Sequence, residues 1–449
     1  MPAGGGLLQL VAVGKQDAFL TGNPQISFFK MVYRRHTNFA TESQPMYFDG
    51  TPNFGQRITC LIPRRGDLLG KIYLDVVLPQ LKDTSGNLLS YTNSIGHALI
   101  QEITFEVGEQ EIDRQTGEWM EVWTQLTTSS SQRFGLNEMI GRIEPFNMID
   151  IKPSDSSDGL HLLIPLQFYF CRNPGSYLPL LALQYSPIRI NITMRPAQQL
   201  FWVPPPITTT QENWMPSCSV QVSCTTPITS MMLWGEFVYL DVEERRQFVS
   251  QTHEYLIEQV QHIAPFAITA NQNTATIPIE FNHPIKEFIF MVRRDAMQNR
   301  NEWFNYSNLG LGEVTPPLIV PYINSNAPAG RLDLISTAKL QLDGYDRFME
   351  RSPQYFRLQQ PYEHHTTTPI NSFIYNYSFA LRPEDIQPTG AMNASRIDSI
   401  VWQLQMNTVL SNPLIPAWQQ RGNCHVLVYA HNYNVFRVIN GFGGLLFTI

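Results

Sequence analysis

The sequence predicts an all-β chain built from two similar sandwich domains in tandem, with a few short helices confined to loops. Three observations lead there. Short segments that alternate apolar and polar residues recur along the whole chain, 32 Pro and 27 Gly punctuate them, and spaced motifs of the first half return in the second. Successive side chains of a strand point to opposite faces, so a segment with one apolar face reads as a half-buried strand. Frequent turn formers between such segments favour many short strands over long helices.

In KIYLDVVL the residues Ile72, Leu74, Val76 and Leu78 share a face. Ile103, Phe105 and Val107 repeat the pattern, as do Ile188, Ile190, Ile192 and Met194, with Arg189 and Asn191 on the other side. Trp402, Leu404 and Met406 do so near the end. Helical signals are few; residues 117–126 and 241–251 are the best candidates, the second opening on Asp241 as an N-cap.

The internal repeat sets the domain organisation. Phe170-x3-Pro174-x4-Pro179 follows the alternation Leu166, Phe168, Phe170, read as a strand. The same spacing returns as Phe379-x3-Pro383-x4-Pro388 after Tyr375, Tyr377, Phe379. A strand running into Gly108 and then Asp113-Arg114 has its counterpart running into Gly344 and then Asp346-Arg347. FVYLDVEER (237–245) matches YAHNYNVFR (429–437). The offsets shrink (344 − 108 = 236, 383 − 174 = 209, 437 − 245 = 192) but the order holds, which argues for a duplicated domain. Extra residues then fall in loops of the first copy, at 127–150 and 201–216. About eight strands per unit with long loops suit a jelly roll, giving two tandem eight-stranded jelly rolls, a double jelly roll. The expected bounds are an N-terminal segment at 1–26, the first roll at 27–241, a connector at 242–253 and the second roll at 254–449.

A chain of 449 residues is long for one core, in keeping with two domains. Lys and Arg sum to 31 against 38 Asp and Glu, a net charge of -7, which argues against a dedicated nucleic-acid binder. One local stretch, GNPQISFFKMVYRRHTNFA (22–40), still mixes rings with cations as single-strand binders do. Charged residues make up only 15%, against a usual ~25%, so much of the surface is expected to be covered by other subunits. The 5 Cys are scattered, which suits a reducing compartment, and Cys218 and Cys224 would share one strand face. No secretory signal or membrane-spanning run is readable, so a soluble chain is expected.

Candidate chemistry is thin. His253-Glu254-Tyr255-Leu256-Ile257 starts like a zinc-protease helix but has Ile where the second ligand His is required. His364 and His365 are adjacent, and in a strand would face opposite ways. GFGG (441–444) lacks the Lys-Ser/Thr of a phosphate loop. No nucleophile elbow or carboxylate pair can be nominated, so no catalytic, cofactor or metal site is expected and the protein reads as structural. Asn-x-Ser/Thr sequons stand at Asn191, Asn305, Asn376 and Asn393; Asn305 in a polar loop and Asn393 in a turn are the accessible candidates for glycosylation.

GGGLLQLVAVGKQDAFLTGNPQISFFKMVYRRHTNFA (4–40) resembles the opening of major capsid proteins of large eukaryotic double-stranded DNA viruses, the nucleocytoplasmic large DNA viruses of algae and amoebae. RRGDLLGKIYLDVVLP (64–79), PGSYLPLLALQY (174–185), HEYLIEQVQ (253–261), FNHPIKEF (281–288), AKLQLDGYDRF (338–348), NASRIDS (393–399) and AHNYNVFRVINGFGG (430–444) follow in the family's order. The resemblance implies a double jelly-roll capsid protein of the virion, assembled in the host cytoplasm. It further implies homotrimeric capsomers of pseudo-hexagonal outline that tile an icosahedral capsid over an internal membrane, with minor capsid proteins as partners and no direct genome binding. Residues 1–26 become an assembly segment, and Phe28, Phe29, Tyr33, Arg34 and Arg35 assembly contacts, since rings and Arg are enriched at interface hot spots. Loops 127–160, 200–225 and 295–330 are expected to crown the outer face. The rival reading is a carbohydrate-binding or cupin-like jelly roll, which would need a His/Glu metal cluster on neighbouring strands.

Overall fold

A computed structural model describes residues 4–17, 21–84, 86, 89–143, 159–202, 227–309, 332–369, 372–411 and 420–448. It divides into two compact units, Met1–Asn38 and Phe39–Ile449. In the first, a helix runs over Gly4–Val11, and Gly14 N donates to Asp17 Oδ2 (2.8 Å) in a turn beyond it.

The second unit holds both rolls. The main strands of the first are β1 (Phe39–Met46), β2 (Arg57–Leu61), β3 (Leu68–Leu78), β4 (Ile100–Val107), β5 (Gln110–Thr116), β6 (Leu160–Pro165), β7 (Ile188–Met194) and β8 (Ser230–Leu240). They form two 4-stranded antiparallel sheets ordered β1-β8-β3-β6 and β2-β7-β4-β5. The second roll has β9 (His253–His262), β10 (Thr274–Ile279), β11 (Pro284–Arg294), β12 (Ile335–Leu342), β13 (Tyr345–Asp346), β14 (Tyr375–Ser378), β15 (Ile400–Met406) and β16 (Cys424–Ile439). Their sheets run β9-β16-β11-β14 and β10-β15-β12-β13, so adding eight to each strand of the first roll yields the second. Short strands at Phe266–Ile268, Met392–Asn393 and Phe442–Leu445 extend the β9-β16-β11-β14 sheet.

The alternation read from sequence is the alternation of burial. In β3, Ile72, Leu74, Val76 and Leu78 are buried, while Lys71 is exposed and Tyr73, Asp75 and Val77 lie between. Each roll has a core: Phe105, Ile190 and Leu233 sit in the first, which Ile257, Trp303, Phe436 and Val438 of the second roll also line, and Phe288, Phe290 and Trp402 sit in the second. Two of the three repeated motifs land at equivalent places; the third does not, because 237–245 leaves β8 at Leu240 and runs into helix Val242–Ser250, whereas 429–437 lies wholly within β16. Gly108 and Gly344 turn β4 into β5 and β12 into β13 with φ of +69° and +79°, a backbone that glycine adopts freely. The Phe-Pro-Pro spacings follow β6 and β14.

Three expectations are corrected. The alternation at Leu166, Phe168 and Phe170 is not a strand: β6 ends at Pro165, and Tyr169–Arg172 form a helical turn with Phe168, Tyr169 and Phe170 all buried. Segment 127–150 is not simply a loop: a helix runs over Ser130–Ile140, ended by Gly141 at φ +68°. Within 295–330, a helix at Asp295–Asn299 and the buried Trp303, Tyr306 and Leu309 show a packed segment rather than an exposed crown up to residue 309. The expected helices do form, over Gly117–Thr127 and over Val242–Ser250, where Asp241 caps Val242 N (2.7 Å). Cys218 and Cys224 lie outside the described residues, as do most of 200–225 and 310–331.

Candidate functional site

Two regions carry the features an assembling protein needs: an exposed ring-and-cation segment, and a buried seam that fixes one roll on the other. In the segment, Phe28, Phe29 and Tyr33 are 89%, 100% and 78% exposed, with Met31 and Val32 between them also exposed. Arg34 and Arg35 are exposed too. Residues 1–38 hold Lys15, Lys30, Arg34 and Arg35 against Asp17 alone, a charge of 4 − 1 = +3, so the remaining chain carries −7 − 3 = −10.

The seam begins at helix Gly117–Thr127. Thr116 Oγ1 accepts from Trp119 N (3.2 Å) to cap it. Trp119 and Trp123 stack at 5.6 Å and turn toward the second roll, where Trp119 meets Tyr429 (5.6 Å) and Trp123 meets His431 (4.8 Å). Val260, Ile289, Met291 and Leu427 complete this apolar cluster. Polar groups pair around it. Thr116 Oγ1 and Tyr429 Oη lie 2.8 Å apart, Val260 N donates to Asp113 Oδ1 (3.1 Å), and Trp303 Nε1 donates to Gln199 O (2.8 Å). Asn301 Nδ2 donates to Gln198 O (3.0 Å) and Phe201 O (2.9 Å).

Charges are buried in the same seam. Glu118 pairs with Arg195 (2.8 Å) from its own roll and with Arg293 (3.1 Å) from the second. Both guanidinium groups lie over the Trp303 ring, at 3.9 and 5.0 Å. Burial works to raise the Glu118 pKa, but Arg195 and Arg293 overcome it and hold it down at about 2. Glu121 is held at about 2 against its burial by Arg142 and His97. Asp113 makes no such ion pair among the described residues, and burial pushes it up to about 6 although Val260 N, Gln115 and the more distant Arg172 work the other way. Deeper in the second roll, Glu258 meets Arg172 of the first (2.9 Å), Lys286 and His431 (3.3 Å). Glu287 meets His365 (2.9 Å) and His431 (3.4 Å).

Sequence reasoning did not find these charges. The available signal lay in PIKEFIFMVRR: β11 is buried along nearly its whole length, with Phe288, Phe290 and Val292 in the roll's core and Ile289 and Met291 in the seam. Charged Lys286, Glu287, Arg293 and Arg294 in such a doubly covered strand must find partners. His364 and His365 diverge: His364 Nδ1 bonds Leu381 O (2.9 Å), while His365 is buried. No group of His, Cys, Asp and Glu placed to hold a metal occurs among the described residues, and none of the helices there is long and apolar enough to cross a membrane. Asn393 is exposed, its side chain accepting from Ser395 N (3.1 Å). Asn305 was expected to be accessible and is not: it is buried, and its Nδ2 donates to Glu302 (2.6 Å) and Leu309 O (2.8 Å), which a glycan on that nitrogen would disrupt.

The family described as major capsid protein N-terminus matches residues 27–241, and that described as large eukaryotic DNA virus major capsid protein matches residues 244–444. The chain belongs to the major capsid proteins of large eukaryotic DNA viruses. It is 36% identical to the major capsid protein of Phaeocystis pouchetii virus, over 99% of each chain, and 33% identical to that of Paramecium bursaria Chlorella virus 1, again over 99% of each. The structure resembles that of PBCV-1 VP54 with a TM-score of 0.73 at 28% identity, covering 94% of this chain and 100% of the other. The Faustovirus major capsid protein, at 13% identity and a TM-score of 0.71, shares the fold. Major capsid proteins are structural proteins of the virion rather than enzymes, and the double jelly roll is their architecture.

Proposed function

We propose that this major capsid protein builds its shell from homotrimers of pseudo-hexagonal outline that tile an icosahedral capsid. The observation that carries the reading is the strand-for-strand duplication, with the two rolls fused by a buried seam within the single unit Phe39–Ile449. Three chains then present six similar wedges, and heterologous contacts between them close into a ring. Sedimentation equilibrium of the purified protein at micromolar concentration tests this: a trimer is expected, and a species that stays monomeric overturns it.

Within that shell, Phe28, Phe29, Tyr33, Arg34 and Arg35 are the contacts to neighbouring capsomers and minor capsid proteins. Their exposure and the +3 charge of residues 1–38, against −10 elsewhere, support such docking. The inner face of the shell would lie toward the internal membrane, with assembly in the host cytoplasm. Residues 127–143 would stand on the outer face, and Asn393 is the sequon whose exposure permits a glycan.

A further inference from the structure

The buried cluster around His365 does more than fill space. His365 Nε2 lies 2.9 Å from Glu287 Oε2 on β11, and Nδ1 lies 2.8 Å from Glu384 Oε1 on the turn after β14. The ring is fully buried, as is Glu287. From β14, Asn376 Nδ2 reaches both Glu287 Oε2 (2.8 Å) and the His365 ring. From β16, His431 stands between Glu287 (3.4 Å) and Glu258 of β9 (3.3 Å). Lys286 and Arg172 close the far side against Glu258, and the Asp385 carboxylate turns to Arg382 (3.8 Å).

Glu258, Glu287 and Glu384 bring three negative charges, and Lys286 and Arg172 bring two positive ones. One charge is left over in a site where an uncompensated ion is costly. Both rings lie between two carboxylates, but His365 is held at 2.9 and 2.8 Å against 3.4 and 3.3 Å for His431, and at those shorter distances two N–H donors satisfy both carboxylates. A neutral ring protonated at Nδ1 could accept from Asn376 Nδ2 at Nε2 but would turn that same lone pair toward Glu287, whereas the imidazolium donates to both carboxylates and leaves Asn376 Nδ2 to Glu287 Oε2.

The cluster reaches the first roll through the next two residues. Thr366 N (2.9 Å) and Thr366 Oγ1 both donate to Glu384. Thr367 N donates to Leu126 O (2.9 Å) and Thr367 Oγ1 to Thr128 O (2.7 Å), at the end of helix Gly117–Thr127, where carbonyls lack partners within the helix. Residues 365–367 are thus a strap from the second roll onto the first, anchored at one end by His365.

We propose that His365, as an imidazolium bridging Glu287 and Glu384, is a protonation-controlled fastener of this strap, so that loss of its proton loosens the hold of the second roll on the first. Burial alone would lower the pKa of the ring, but Glu287 and Glu384 outweigh it and raise it to about 9. The folded value lies above the ordinary 6.5. The stabilisation is therefore complete below about 6.5 and is lost as pH rises through about 9.

The test uses the full chain, melted at steps from pH 6 to 10.5, beside His365→Gln, which keeps a donor but cannot carry charge. The wild type should lose melting temperature through pH 9. The variant should melt lower at pH 7, by about 2–4 °C, and converge on the wild type at pH 10.5. An equal alkaline loss in both proteins overturns the proposal. Should the variant not fold, histidine 13Cε1 resonances of the wild type decide. A buried ring titrating near pH 9, together with a chemical-shift change in the 365–367 amides, supports the fastener. A His365 resonance of the neutral ring at pH 7 overturns it.

Discussion

Arg293 of the second roll donates to Glu118 of the first across 3.1 Å, and both side chains are buried in the seam. Arg195 bonds the same carboxylate oxygen (2.8 Å), so Glu118 is shared between a cation of its own roll and one from the other. Removing Arg293 leaves a buried carboxylate with half its compensation, and opens space against Trp303. Arg293→Met should cost about 3–5 kcal/mol in urea unfolding. A loss below about 1 kcal/mol would mean that the seam draws its strength from the tryptophan cluster alone.

Asp113 behaves in the opposite sense. Its pKa is raised from 3.8 to about 6 by burial, so between those values the folded protein binds a proton that the unfolded chain does not. Stability attributable to this group therefore falls as pH rises from about 4 to 6, and the cost is fully present at pH 7. Asp113→Asn retains an acceptor for Val260 N, but its amide nitrogen replaces the oxygen that Gln115 Nε2 now donates to, so Gln115 must turn its amide over to present the unpaired Oε1 and give up its bond to Gln167 O. The variant should be more stable than wild type at pH 7.5, by about 1–3 kcal/mol, and match it near pH 3, below the ordinary value of 3.8. Melting curves at the two pH values check this, and a variant less stable at both would sink it.

How much of this was legible follows from which forces act locally. The strands were, because a half-buried strand writes its exposure into every second residue, as in β3 and β15. The duplication was, because Gly108 and Gly344 occupy matching turns whose backbone favours glycine. The stretch Leu166–Phe170 misled because aromatic alternation looks the same whether the residues lie on a strand or enter a helical turn with every ring buried. The seam was opaque for a different reason. Glu118 and Arg293 stand 293 − 118 = 175 residues apart, and Arg172 and Glu258 stand 86 apart. Nothing local distinguishes such charges from solvated ones until the fold brings them together.

Gly117 is a sharper probe of the seam than any charge. It opens helix Gly117–Thr127, and a Cβ there would overlap the backbone carbonyl oxygens of His97 and Ile100. Backbone cannot swing aside as a side-chain tip can, so the helix carrying Trp119 and Trp123 would have to move. Gly117→Ala should lower yield and melting temperature strongly, although alanine is the better helix former by about 1 kcal/mol. Gly135→Ala, with nothing within 4 Å of the added atom in helix Ser130–Ile140, is the control and should be neutral or slightly stabilising. Equal behaviour of the two variants would show that the helix is free to shift.

The N-terminal unit calls for the reverse result, loss of assembly without loss of fold. Its apolar residues bury little: Leu7, Leu8, Leu10 and Val11 are 65–79% exposed, and Phe29 wholly so. Met1–Asn38 is a compact unit of its own. Holding each residue in one conformation costs about 1–2 kcal/mol, which such sparse burial does not offset, so a binding partner must supply the difference. Deleting residues 1–25 should leave a folded trimer with nearly unchanged melting temperature and impair shell formation in a co-expression assay read by electron microscopy. Arg34→Glu with Arg35→Glu should do the same if those cations meet carboxylates of a neighbouring chain, and a Glu-to-Arg change on that neighbour should restore assembly. Should the deletion unfold the protein, residues 1–25 are part of a core and the assembly role is wrong. Should the shell form normally while the particles fail to retain DNA, the rings and cations of residues 28–35 serve nucleic acid instead.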